Sequence, residues 1–539
     1  MRVRRLIRHP LPFALLLLVL VIAVVNVSAY RELPADPAAR LDVLLSADLP
    51  SEARPVLEEL LASEPLSMKW NYLFVNNEYR LGLIGEDGEG EATDRYRELV
   101  EQDDGADVGN YSLGLISGLA GDWDQALVNF GRVHDTRLEY LNNSIGYVLR
   151  EQGEPARAES YFRTEIEIGG NVSGAVTNLL LIYFEEGRLD QVRALVDDEV
   201  TGAYVSMQDL RVLAFRSGDV AGYMWLTFAA PFGRIAVLAA LSALLICAMW
   251  FVYLWRIDIF EQEPLPLLMA TLVLGGFFAL TSFVLGDLLS LVLPLTLGGD
   301  WLNDLIFSLL HIGLVEEIAK FLPVLLIITL SKQANEPVDY LIYGSLSALG
   351  FATLENSFYF TTYGLGIVFV RFLTSTVLHL SMTSIVCYSW ARARYIKPGN
   401  PVVAILVGLL IATVAHGLFD YFIIGPVTEL LPLSIAILVV LAVAYGLMLR
   451  NSLRASPFFR VEQVGSRRLV NYELMLSTAV VLLVIGYVFT NFQLSTELAG
   501  YQLLVTAWSS PVAVAAVFVA LGEIGLKPGR RAAPGLPGG

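Results

Sequence analysis

Repeated apolar stretches, each long enough to cross a bilayer, constrain this chain more than any other feature. A helix needs about 20 predominantly apolar residues to span the hydrocarbon core. Such stretches occur at 235–255, 267–295, 303–328, 341–362, 366–390, 402–424, 430–449, 474–490 and 503–521. In lipid the backbone must satisfy its own hydrogen bonds, and helices do this within one segment. The expected fold is therefore all-α, a polytopic membrane helical bundle with nine C-terminal spans.

The N-terminus differs. Arg2, Arg4, Arg5 and Arg8 precede an apolar core that ends in Val27-Ser28-Ala29. Small residues after such a core suit a signal-peptide cleavage site. The same stretch also suits an uncleaved signal anchor, and both readings stay open. Either one places residues 30–225 outside the cytoplasm. Segment 235–255 then runs inward, and the inside ends should hold the Lys and Arg residues. They do so at Arg256, at Lys332, at Arg392, Arg394 and Lys397, at Arg450 to Arg468, and at Lys527, Arg530 and Arg531. The expected location is the cell membrane, multi-pass, with a cytoplasmic C-terminus.

Charge separates the outer part from the rest. Residues 30–225 hold 36 acidic and 16 basic side chains, an excess of 20 negative charges, against −17 for the whole chain. This acidic balance argues against nucleic-acid binding. Gly121, Gly153, Gly187 and Gly218 recur 32, 34 and 31 residues apart. The first three open similar phrases, "GDWDQALVNF", "GEPARAESYF" and "GRLDQVRALV", and each follows an apolar helical run. Helix, glycine turn and second helix at about 34 residues is a tetratricopeptide-like period. Stacked repeats of this kind make concave surfaces for peptides or proteins. The two cysteines, Cys247 and Cys387, lie far apart in apolar segments and define neither a disulfide framework nor a zinc site.

Charges inside the spans mark the functional region. Asp287, His311, Glu316, Glu317, Lys320, Glu355, Arg371, His379, His416 and Asp420 all fall within the five central segments. Each costs about 2.5–3.5 kcal/mol at the centre of a membrane helix, so such residues are functional candidates by default. At 1.5 Å per residue, oppositely directed spans bring most of them to one layer, about 6 to 20 Å below the outer surface. Glu316 and Lys320 share a helix face, as do His416 and Asp420, whereas Glu317 points about 100° away from Glu316. Arg371 and Asp420 come out at similar depth and are an expected pair. His311 falls on the opposite face from Glu316 and is left out of the site. A glutamate among histidines can act as a general base on water, bind a metal or carry protons. The bland alternative is polar glue between helices.

Several of these residues sit in recognisable phrases. "EEIAK" at 316–320, "GFATLENSFYF" at 350–360, "RFLTSTVLHL" at 371–380 and "HGLFDYF" at 416–422 resemble the motifs of the PrsW family of intramembrane proteases. "WRIDIFEQEPLPLLMA" at 255–270 resembles the Asp…Glu-Pro stretch before that family's core. The family is similar to the group that contains CAAX prenyl proteases and bacteriocin-immunity-type membrane proteases. Glu355 stands where that group has a histidine, and Lys320 departs from its pattern as well.

The resemblance implies an intramembrane endopeptidase. Glu316 would activate water, and Glu317 would assist or hold Lys320. His416, helped by Asp420 or Asn356, would stabilise the oxyanion, with His379 and Glu355 completing the site and Arg371 in support. Metal-free chemistry without a cofactor is the favoured version; the alternative is zinc on Glu316, Glu355, His379 and His416. The implied substrate is a membrane-anchored protein such as an anti-sigma factor, and the repeats would bind a peptide or protein. The main rival is a non-proteolytic transporter, receptor or scaffold. The expected organisation is a signal peptide or anchor at 1–29, a repeat domain at 30–225, a protease core at 235–425, and further spans with a cytoplasmic tail at 426–539.

Overall fold

The computed structural model describes residues 11–85, 87–102, 104–298, 300–424, 431–459 and 468–509. The part of the 503–521 segment beyond Ser509 and the C-terminal tail lie outside the described residues, as do residues 1–10. Regular structure among the described residues is helical, with no strand. The chain divides into two compact units, Glu32–Leu226 and a second that joins Met1–Arg31 to Thr227–Gly539.

The first unit is a run of short helices. Gly121, Gly153, Gly187 and Gly218 each sit between two helices, with φ of 82°, 80°, 70° and 73°. Glycine reaches this left-handed region without the steric cost a Cβ adds, which explains the recurrence at the turns. A second recurrence lies in the packing. Gly114 faces the Phe130 ring so closely that a Cβ would come within 2.5 Å, and Gly146 faces Phe162 in the same way at 2.7 Å.

In the second unit, α1 is Leu11–Ser28, α2 is Val237–Ile257 and α3 is Leu265–Ser290. Helix α4 (Trp301–Phe307) passes through a π-helical stretch, Ser308–Leu314, into α5 (Val315–Ser331). Then come α6 (Pro337–Tyr363), α7 (Val368–Leu373), α8 (Ser375–Ala391), α9 (Pro401–Ile424), α10 (Leu431–Arg454), α11 (Arg468–Gln493) and α12 (Thr496–Ser509). Seven helical stretches among the described residues are long and apolar enough to cross a membrane: Leu11–Ser28, Val237–Ile257, Leu265–Ser290, Leu365–Ile396, Pro401–Ile424, Pro432–Arg454 and Glu473–Gln493. The expected spans 303–328 and 341–362 fall on α4–α5 and α6 but are absent from that set. These are the helices that carry Glu316, Glu317 and Lys320, and Glu355 with serines and threonines spread along the helix.

Helix α6 is the centre of the bundle, packed on α2, α3 and α8, and α9 packs on α8 and on the π-helical stretch. Small residues make these approaches close, as is usual where helices pack in lipid. A Cβ on Gly350 would lie 1.9 Å from the Leu272 carbonyl oxygen, and one on Gly275 would lie 2.1 Å from that of Ser347. At the crossing with α9, a Cβ on Gly313 would lie 2.6 Å from the Thr413 carbonyl oxygen, and one on Gly417 would lie 2.6 Å from the Leu309 Cα. That contact brings the start of α5 against the His416 turn of α9.

The Asp…Glu-Pro stretch lies at the start of α6. Asp258 Oδ2 accepts from the Glu263 backbone N–H at 2.7 Å, and Glu263 accepts from the Tyr343 hydroxyl. Asp339 Oδ2 takes the Glu336 and Asn335 backbone N–H groups at 2.9 and 2.8 Å. All four carboxyls are buried, and none is ion-paired among the described residues. Burial pushes Asp258 and Glu336 up to about 7. In the unfolded chain such groups titrate near 4. Between these values the folded state binds more protons than the unfolded one, so stability is full at acid pH and is lost as pH rises. The melting temperature of the detergent-solubilised protein is expected to fall between about pH 5 and about pH 8. Asp258→Asn should flatten that slope in a thermal-shift series.

Candidate active site

Five helices bring the charged residues together, with Arg371 coming from α7. Helix α5 supplies Glu316, Glu317 and Lys320 from its first two turns. Helix α6 supplies Glu355 and Asn356, α8 supplies His379, and α9 supplies His416 and Asp420. The π-helical stretch just before α5 adds a wide turn where Gly313 meets α9. Such π-bulges break the register of an α-helix and are frequent at functional sites.

Lys320 is the hub. Its Nζ lies 3.0 Å from Glu316 Oε2, 3.0 Å from Glu317 Oε1 and 2.7 Å from His379 Nδ1. It also lies 4.4 Å from the centre of the Phe351 ring. An ammonium only donates, so His379 Nδ1 accepts, and the ring proton belongs on Nε2. That nitrogen faces Glu355 Oε2 at 2.8 Å. Glu355 Oε1 in turn pairs with Arg371 at 3.0 Å.

On the other side, His416 Nδ1 faces Glu317 Oε1 at 3.0 Å. Its Nε2 faces Asp420 Oδ2 at 3.3 Å and Glu316 Oε2 at 3.6 Å. Both ring nitrogens thus face carboxylate oxygens, an arrangement that suits a ring donating from both. The His379 and His416 rings meet edge to face, with centroids 5.4 Å apart. The cluster is one continuous chain of polar contacts from Arg371 to Asp420.

The two adjacent glutamates differ in surroundings. Glu317 is fully buried and has three donors: Lys320 and His416 on Oε1, and the Thr383 hydroxyl on Oε2 at 2.9 Å. The Glu316 side chain retains 19% exposure. Glu316 is therefore the member of the pair that is not fully enclosed, and its Oε2 lies 3.6 Å from His416 Nε2.

Two sequence expectations are corrected. Arg371 pairs with Glu355 rather than Asp420; it also donates to Asn356 Oδ1 at 2.6 Å and to Ser375 Oγ at 2.9 Å, and lies 3.7 Å from the centre of the Tyr359 ring. Asn356 serves Arg371 and Thr376, not His416. Both shifts follow from the break between α7 and α8 at Thr374, which turns Arg371 onto the α6 face. His311 stacks on Phe307 at 4.9 Å and makes no hydrogen bond to the cluster.

Thr383 is the residue that sequence reasoning missed. The available signal was its position four residues after His379, on the same face of α8. Thr383→Val leaves a buried carboxylate oxygen without its donor, at a cost of about 1–3 kcal/mol. The expected result is a lower melting temperature, with Thr383→Ser close to the parent.

Glu316, His379 and His416 each place one donor atom within 4.8 Å of the others, a spacing that suits a metal ion. Each histidine also has one ring nitrogen facing a carboxylate, Glu355 for His379 and Glu317 for His416, an orienting contact of the kind metal-binding histidines usually have. Glu355, the fourth expected ligand, is occupied by Arg371 and His379 and stands outside this trio.

Comparison with known proteins matches the region that contains the cluster. Residues 263–447 match the family described as "PrsW family intramembrane metalloprotease". The chain is 25% identical to Protease PrsW of Bacillus subtilis (strain 168) over 169 residues, which cover 31% of this chain and 75% of that protein. It is 27% identical to Protease PrsW of Shouchella clausii (strain KSM-K16) over 192 residues, covering 34% and 81%. A third Protease PrsW, from Oceanobacillus iheyensis, is 28% identical over 153 residues, covering 26% and 68%. No solved structure matches the chain. The matched region holds every residue of the charged cluster, and the chain thus carries a PrsW-family intramembrane protease domain.

Proposed function

We propose that the chain is an endopeptidase that cleaves membrane-anchored proteins, with Glu316 as the base that activates water. The observation that carries this is the contrast within the glutamate pair. Glu317 has its oxygens filled by three donors, whereas Glu316 keeps 19% of its side chain exposed and has Oε2 3.6 Å from His416 Nε2. In the reaction Glu316 takes a proton from water, and the hydroxide adds to the peptide carbonyl carbon. His416 Nε2–H faces the developing oxyanion and stabilises it where charge appears. The C–N bond then breaks, and the proton held on Glu316 passes to the departing amine. Lys320 keeps Glu316 in place. Glu355 and Arg371 hold the His379 ring so that its Nδ1 meets Lys320.

A second reading rests on the trio of Glu316, His379 and His416. Their donor types and spacing fit a zinc-like ion, which would supply Lewis-acid chemistry to the peptide carbonyl. The contacts of Lys320 favour the first reading, because its ammonium takes up Glu316 Oε2 and His379 Nδ1, two of the three groups an ion would need. Metal analysis of purified protein, with cleavage of a co-expressed single-pass membrane protein before and after chelation, separates the two. The expected result is cleavage that survives chelation. One metal per chain, with activity lost on chelation and restored by zinc, would instead establish the second reading.

The layout supports two further parts of the proposal. Residues 30–225 lie outside the cytoplasm as a tetratricopeptide-like repeat domain that recruits the substrate's outer portion. The cut then falls near the outer side of the substrate's membrane segment, in regulated proteolysis of a signalling factor such as an anti-sigma factor. Deleting residues 32–226 is expected to spare cleavage of a short artificial single-pass substrate and abolish that of the natural one.

A further inference from the structure

The segment ending in Val27-Ser28-Ala29 has the composition of a cleavable leader, but its structural setting differs from one. We infer that residues 11–29 stay in the mature protein as a membrane helix docked on α11, and that no signal peptidase cuts after Ala29.

Length is the first argument. Helix α1 has 18 residues, whereas the apolar region of a signal peptide runs to about 7–15. At 1.5 Å per residue it is about 27 Å long, close to the thickness of the hydrocarbon core.

Packing is the second. Val25 is buried against Tyr487 and Ala499, with Val21, Ile22, Val488 and Leu503 around them. Asn26, a polar residue in an otherwise apolar helix, donates to the Tyr487 hydroxyl at 3.0 Å. Polar side chains in lipid act in this way as contacts between helices that remain together. Asn26 and its partner are 461 residues apart in sequence.

The third argument is the backbone on both sides of the Ala29–Tyr30 bond. Ala29 N–H donates to the Val25 carbonyl at 3.0 Å, and the Ala29 carbonyl accepts from Asn491 Nδ2 at 3.1 Å. Arg31 N–H donates to Thr496 Oγ1 at 2.8 Å, and Thr496 N–H donates to the Arg31 carbonyl at 2.9 Å. The Arg31 guanidinium donates to the Phe492 carbonyl. Enzymes that bind extended peptides do so through these same N–H and carbonyl groups. Here they are already engaged. Asn491 is fully buried, so removing Ala29 would strand its amide without an acceptor. An unpaired buried donor costs about 1–3 kcal/mol. A leader that is discarded has no use for partners in the last tenth of the chain.

The test is the mass of the chain recovered from membranes. The full chain is expressed with one epitope before Met1 and another after Gly539. The expected result is a single species that carries both epitopes, with N-terminal sequencing that begins at the first. The same chain with only the C-terminal epitope guards against the tag itself blocking cleavage; its intact mass should match the 59.2 kDa of residues 1–539 plus that tag. Loss of the first epitope, or an N-terminus at Tyr30 in either preparation, would overturn the inference.

Discussion

Glu316→Gln is expected to eliminate cleavage while leaving the protein folded. The substitution keeps the shape of the side chain and its hydrogen bond from Lys320, and removes the ability to take a proton from water. General-base catalysis by a positioned side chain contributes about 10²- to 10⁴-fold, so the loss should fall in that range. Glu316 is partly open, so the neutral amide brings little burial penalty, and the melting temperature should change little. The same change at Glu317 should behave differently. Its oxygens accept from Lys320, His416 and Thr383, and an amide can satisfy only part of that set. Glu317→Gln is therefore expected to lower stability as well as activity. Cleavage of a co-expressed single-pass protein and thermal melting, measured on both variants, check the assignment. Equal activity in Glu316→Gln and the parent would remove Glu316 from the role of base.

Lys320→Met should have the largest effect on folding. The lysine is fully buried, and it compensates Glu317, also fully buried, and Glu316 beside it. Removing one partner of a buried ion pair typically costs about 3–5 kcal/mol, because the other charge is left without compensation. Domains are stable by only about 5–15 kcal/mol. The expected outcome is a large drop in the folded protein recovered from membranes. The double variant Lys320→Met with Glu317→Gln removes the stranded charge and should recover part of the loss. A double-mutant cycle on melting free energies reads the coupling directly. Additive effects at these contacting residues would show that Lys320 does not serve Glu317.

The chemistry-bearing residues were legible because hydrocarbon makes each charge conspicuous. Glu316, Glu317, Lys320, Glu355, His379, His416 and Asp420 stood out against their apolar surroundings, and the structure brings all of them together. Helical spacing also placed Asp420 beside His416. Relations between different helices were less legible. Spacing along one helix says which residues share a face, but not how that helix is rotated against another. Arg371 was matched to Asp420 on depth alone, and the turn at Thr374 sends it to Glu355 instead. Thr383 was invisible for a different reason, since threonines are common in membrane helices and carry no charge to mark them. The fold followed the same pattern. The number of apolar runs indicated a helical bundle, whereas the π-helical stretch before α5, where Gly313 packs closely on Gly417, is marked by no local pattern.

Lys320 also bears on how the protein enters the membrane. The lysine lies three and four residues after its two glutamates, so the ion pairs can form as soon as α5 turns into a helix. Its other contacts, Phe351 and His379, belong to helices synthesised later. During insertion α5 thus brings its own counterion, and its two carboxylates and one ammonium enter the lipid with a net charge of one instead of as three separate penalties. A lysine one turn from its carboxylates lets this segment wait in the bilayer until α8 and α9 arrive with the histidines. The order of synthesis and the assembly of the cluster are compatible for that reason.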